Sequence, residues 1–142
     1  MSRTIRVFLD ANILFSAAKS DGAVRSLVEQ LLTAGHDCWA DAYTSEEARR
    51  NLAAQFPHSL PRLEQLLQRL SLSTTAPSLA PAKRIGLPEK DQWVLAAAVS
   101  LECEALVTGD RRHFGKFFGR RVAGVAIYSP RLLFEHLFPS GC

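Results

Sequence analysis

"RVFLDANILFSA", Arg6 to Ala17, is the stretch on which the fold turns. Ile5 to Leu9 is a compact apolar run that stops at an acid, the pattern of a short strand buried on both faces. Asn12 to Ala18 then continues as a short helix. Asp10 therefore stands where a buried strand ends. A second stretch, "EALVTGDRRHF" from Glu104 to Phe114, repeats the arrangement. An apolar strand runs into a Thr-Gly-Asp turn, and two arginines, a histidine and a phenylalanine follow. Two strands thus deliver a carboxylate to their ends, Asp10 and Asp110.

The segments between them alternate in period. Gly22 to Thr33 carries apolar residues at helical spacing (Ala23, Leu27, Leu31; Val24, Val28), and Gly35 suits its carboxyl-terminal cap. "HDCWADAYTS" holds a short strand, after which Thr44 or Ser45 is expected to cap the helix "EEARRNLAAQF". "SLPRLEQLLQRL" places Leu63, Leu66, Leu67 and Leu70 on one face and accepts Pro61 in its first turn. A short strand is expected at Leu70 to Ser73, and the Pro-containing stretch after it, to Pro88, reads as a loop. "PEKDQWVLAAAVSLEC" is a well-signalled helix with acids in its first turn. "GVAIYSP" reads as a last strand and "PRLLFEHLF" as a last helix. Such alternation predicts an α/β fold with a mostly parallel sheet and helices on both faces. In open sheets of this kind, ligands sit beyond the carboxyl ends of the strands.

The 142 residues fit one domain spanning 1–142, with 47% hydrophobic and 22% charged residues. A chain of this length buries enough apolar surface to do without disulfides. Its three cysteines, Cys38, Cys103 and Cys142, are odd in number and form no C-x-x-C pair, against a disulfide scaffold or a zinc knuckle. Cys38 and Cys103 are expected as small buried hydrophobes and Cys142 as an exposed thiol. No signal peptide or membrane-length apolar run is seen, so a soluble cytoplasmic protein is expected. The net charge of +3 permits a polyanionic partner.

The acids differ in what their positions demand. Asp10 and Asp110 each suit an ordinary cap or turn. Asp91 is more telling. It shares a helix face with Val94, Leu95 and Ala98, so it is an acid on the side that must pack inward, where an unpaired carboxylate is costly. Glu46 and Glu47 fall in a first turn, and periodicity against Ala48, Leu52 and Phe56 does not choose between them. Asp21, Asp37 and Asp41 are assigned to turns or loops, and Glu29, Glu64 and Glu102 to polar helix faces. The four histidines are scattered, and neither a phosphate-binding glycine loop nor a Ser/His/Asp set is seen.

Three or four carboxylates converge while ionised only around a cation, and an all-oxygen acidic site suits Mg²⁺ or Mn²⁺. Such a site serves phosphodiester cleavage. Arg111, Arg112 and His113, with Lys116, Arg120 and Arg121 beyond, are placed to hold phosphates.

Together "FLDANILFSA", "KDQWVLAAA" and "LVTGDRRHF" resemble the PIN domain (PilT N-terminus) family, which includes the VapC-like toxins of bacterial toxin–antitoxin modules. The resemblance covers nearly the whole chain. It implies a three-layer α/β/α sandwich and Mg²⁺- or Mn²⁺-dependent endoribonuclease activity on single-stranded RNA or exposed loops. It implies Asp10, Asp91 and Asp110 as metal-holding acids, with Glu47 as the fourth and Glu46 its competitor. Asn12 and Thr108 are the accompanying polar residues, assigned with Arg111 and Arg112 to the substrate. An antitoxin protein and a homodimer are the implied partners. Two rivals stand beside this reading. One is a non-catalytic RNA- or protein-binding module on the same fold. The other is a phosphatase-like hydrolase with Asp10 as nucleophile, which usually wants a second Asp at position 12, where this chain has Asn.

Overall fold

In the computed structural model, residues 3–139 are described. Cys142, expected as an exposed thiol, lies outside them. The strands are β1 (Arg6–Leu9), β2 (Asp37–Asp41), β3 (Ser71–Ser73), β4 (Ala105–Val107), β5 (Arg121–Val122) and β6 (Val125–Tyr128). The helices are α1 (Ala11–Lys19), α2 (Ala23–Thr33), α3 (Ala42–Gln55), α4 (Leu60–Leu67), α5 (Ala80–Lys83), α6 (Glu89–Ser100), α7 (Arg111–Phe114) and α8 (Pro130–Leu137). The sheet runs β3-β2-β1-β4-β6-β5, parallel except for the edge strand β5.

Each strand feeds both faces because successive side chains point to opposite sides. Val7 and Leu9 of β1 join one apolar cluster, with Ile13 and Leu14 of α1, Leu31 of α2, Leu52 of α3, Leu63 of α4 and Leu133 of α8. Phe8, between them, joins the other, with Ala82 of α5, Val94, Leu95 and Ala98 of α6 and Phe114 of α7. The result is the three-layer α/β/α sandwich. Leu52 and Leu63 are fully buried, and truncating either to alanine costs about 2–5 kcal/mol.

The chain winds outward from β1 to β2 and β3, then crosses back so that β4 lies on the other side of β1. The winding direction reverses between β1 and β4, and that reversal opens a crevice at their carboxyl ends.

Several local expectations are corrected. The α3 cap is Asp41, not Thr44 or Ser45: its Oδ1 accepts from Thr44 N at 2.8 Å, while Asp41 N donates back to Thr44 Oγ1 at 3.2 Å. Asp41 is thus a buried strand-end cap and not a loop acid. Asp37 lies in β2, where its Oδ2 accepts from Arg6 Nε at 2.9 Å. Glu102 lies past the end of α6 with φ of 57°. The proline-rich loop contains the one-turn helix α5. The last strand is a hairpin, β5–β6, closed by Ala123 and Gly124, both with positive φ, a turn whose twist matches its strands.

Candidate metal centre

Asp10 is the residue after β1 and the cap of α1. Its backbone N–H donates to Val107 O of β4 at 3.1 Å, so the sheet itself holds the residue beside the neighbouring strand. Its Oδ1 accepts from Ala11 N at 2.7 Å and its Oδ2 from the Thr108 hydroxyl at 2.8 Å. Only 5% of Asp10 is exposed. Burial pushes its carboxyl up to about 6, against the pull of the Thr108 and Ala11 hydrogen bonds, and the charges of Glu47 and Asp91 push the same way.

Thr108 is fully buried at the end of β4. Its Oγ1 also accepts from Asp110 N at 3.1 Å and from Asn12 Nδ2 at 3.3 Å. Asn12 Oδ1 accepts from Gly109 N at 2.8 Å. These two residues therefore tie the two strand ends together, and the Thr108 side chain faces the interior.

Asp91 comes from the first turn of α6 and is 4% exposed, as its place among Val94, Leu95 and Ala98 requires. Asp110 caps α7, accepting from His113 N at 3.1 Å. The His113 ring sits between these two acids: Nδ1 is 2.8 Å from Asp91 Oδ2 and 2.9 Å from Asp110 Oδ2. The ring nitrogen is aligned for a hydrogen bond to Asp110 only, so Asp91 Oδ2 is buried with a close charge contact but no aligned donor. Burial raises the Asp91 carboxyl above its ordinary value, and the Asp110 charge adds to this, against His113 and Lys90.

The two glutamates separate. The Glu46 side chain is 61% exposed and lies 3.7 Å from Arg49, whereas that of Glu47 is 15% exposed and lies 3.0 Å from Lys90 Nζ. The charge of Glu47 acts on both Asp10 and Asp91. Arg111 and Arg112 are exposed on α7 and form no ion pair among the described residues.

His113 is the residue that sequence reasoning placed differently, as a phosphate holder. Ligand atoms of Asp91, Asp110 and His113 lie within 4.8 Å of one another, a set able to hold a metal ion. Its one-turn spacing from Asp110 was the available signal. A cation fits this donor set: an oxygen of a buried acid lacks an aligned partner, and burial together with the Asp110 charge raises the Asp91 carboxyl, a cost that a divalent ion relieves.

An α/β/α sandwich with acids gathered at the carboxyl ends of its central strands defines a class, and the chain's sequence gives the family. The family model of the PIN domain matches residues 6–112, and the chain belongs to that family. No curated protein matches it in sequence. Among solved structures, it is similar to a chain of VapBC2 from Rickettsia felis bound to a promoter DNA fragment, at 13% identity and TM-score 0.67, covering 88% of this chain and 98% of that one. A chain of FitAcB from Neisseria gonorrhoeae aligns at 23% identity and TM-score 0.60, again over 88% and 98%. DNA-bound VapBC from Salmonella typhimurium aligns at 16% identity and TM-score 0.64, over 89% and 99%. At these identities the likeness is one of fold.

Proposed function

We propose that this chain is a divalent-metal-dependent endoribonuclease that hydrolyses phosphodiester bonds of RNA in the cytoplasm. The observation that carries the reading is the gathering of Asp10, Glu47, Asp91 and Asp110 at one end of the sheet, with Asp91 Oδ2 buried and lacking an aligned donor. Asp10, Asp91 and Asp110 would hold Mg²⁺ or Mn²⁺, with Glu47 directly or through water. When bound, the ion supplies charge stabilisation of the phosphodiester oxygens and acidifies water. The chain's own residues do the rest. One carboxylate accepts a proton from the attacking water. Thr108 and Asn12 act as positioning residues that fix Asp10 relative to Asp110. Arg111 and Arg112 meet the phosphates of the strand.

The solved complexes also support a protein partner, an antitoxin, for this chain. A groove of about 570 Å³ between α2 and α8, lined by Leu27, Phe118, Pro130 and Phe134, adjoins Gly109 and Arg111 beside the acids and suits such a partner. Homodimerisation belongs to the same reading. Among the described residues no helix is long and apolar enough to cross a membrane.

A second reading, a binding module without turnover, draws on one observation: Lys90 and His113 already pair with Glu47, Asp91 and Asp110. Labelled single-stranded RNA incubated with Mn²⁺, Mg²⁺ or EDTA separates the two. Cleavage that needs metal and disappears in Asp110→Asn supports the nuclease. RNA binding that ignores EDTA, with no cleavage, supports the module.

A further inference from the structure

We propose that Tyr43 and Trp93 form a stacking subsite for one unpaired nucleobase of the RNA strand, one helical turn from the acidic cluster. The proposal rests on the ribonuclease reading above. Tyr43 and Glu47 are four residues apart on α3, and Lys90 and Trp93 three apart on α6, so each pair shares a helix face. The two faces meet as a ladder with two rungs. One is ionic, Lys90 to Glu47 at 3.0 Å. The other is aromatic, with the Tyr43 and Trp93 rings 5.9 Å apart and 16° from parallel. Three to four residues of helix advance about 4.5–6 Å, so the rungs lie about one helical turn apart.

The ionic rung belongs to the acidic cluster, since Glu47 acts on Asp10 and Asp91. The aromatic rung borders a cleft of about 160 Å³ at the carboxyl ends of β2 and β3, whose other wall includes Ser73, Thr74, Thr75 and Pro77. That volume suits one planar ring system. Aromatic faces accept any base by stacking, and hydroxyl groups opposite them suit a base edge. Charges of both signs act on Tyr43: Glu47 first, then Lys90 and Arg50 against it, then Asp91, so the subsite rests on its rings and not on its charge.

A purely structural role explains the pair less well. Neither Tyr43 nor Trp93 belongs to either apolar cluster of the fold, although both rings are large. Both stay partly exposed beside a cleft, away from the stripe of α6 that packs on the sheet.

The test has a binding arm and a kinetic arm. Trp39→Phe leaves Trp93 as the sole tryptophan of the two in the sequence. Combined with Asp110→Asn to stop turnover, it is titrated with oligouridylate and with oligoadenylate. Saturable quenching of Trp93 fluorescence is expected. In the otherwise native chain, Trp93→Leu is expected to lower kcat/KM on single-stranded RNA about tenfold or more, mainly through KM, with Trp93→Phe recovering most of the loss. The Mn²⁺-induced rise in Tm should match the native chain's. RNA binding without quenching overturns the subsite, as does Trp93→Leu cleaving like the native chain. A Trp93→Leu chain that also loses its Mn²⁺ response shows a structural role and overturns it too. If the native chain cleaves no RNA, the nuclease reading fails separately. Quenching then still decides whether the rings take a base.

Discussion

The hydroxyl of Thr108 donates to Asp10 Oδ2 at 2.8 Å, joining the ends of the two central strands through a buried bond. Thr108→Val keeps the shape and removes the donor. The buried carboxylate then loses a partner, which costs about 1–3 kcal/mol. The lost bond is also one of those holding the Asp10 carboxyl down. The acid limb of the cleavage profile should therefore move to higher pH in Thr108→Val and stay in place in Thr108→Ser. Denaturant melts and a pH–rate profile check both.

Asp91→Asn should make the metal-free chain more stable, by about 1 kcal/mol, because it removes a buried charge from beside Asp110 and Glu47. The same variant should lose the rise in Tm on adding Mn²⁺. A metal-free variant less stable than the native chain would show that the Asp91 charge is already compensated.

The sign of the pH dependence follows from Asp10, whose carboxyl is raised from 3.8 to about 6 in the folded chain. The folded state binds this proton more tightly than the unfolded state does. Its contribution to stability is full below the unfolded value and is lost as pH rises through about 6. In the proposed metal site, protons and metal compete for the same oxygens, so the Mn²⁺-induced rise in Tm should be small near pH 5 and large above about pH 7. Differential scanning fluorimetry across that range reads it directly.

Glu47→Gln should weaken Mn²⁺ binding about tenfold, while Glu46→Gln, on an exposed side chain, should change it less than about twofold. Calorimetric titration of the two variants compares them. Equal losses would remove Glu47 from the site.

His113 offers a nitrogen to a set otherwise made of oxygens. Nitrogen favours the later, softer divalent ions over Mg²⁺. His113→Ala should therefore weaken Mn²⁺ binding more than Mg²⁺ binding, seen in Mn²⁺ paramagnetic resonance and in the two thermal shifts.

How far the fold could be read from the sequence depended on the range of the forces at each position. β1 was legible as a short apolar run ending in an acid and α6 because burial on one face imposes a helical period, and Asp91 broke that period in a way a surface acid does not. The cap of α3 was misplaced because Asp41 is read equally well as a loop acid until the strand before it is known. With the helix starting at Ala42, Thr44 and Ala48 fall on the buried stripe and Glu47 stands at its edge, three residues after Thr44. Two-residue β5 carries too few side chains for any period, and Ala123, in a left-handed conformation, is not a usual turn marker. The spacing of His113 from Asp110 is local, but its contact with Asp91 depends on α6 meeting α7 across the sheet's end, a long-range contact that no local pattern encodes.

The crossover that puts β4 beside β1 has a consequence for the chain as it is being made. Asp10 and Glu47 leave the ribosome early, Asp91 and Asp110 on the order of seconds later. Until β4 has inserted along β1, Asp110 is not brought beside Asp10 and the crevice between the two strand ends does not exist. On the ribonuclease reading, a nascent chain of this design has no complete site until β4 is in place.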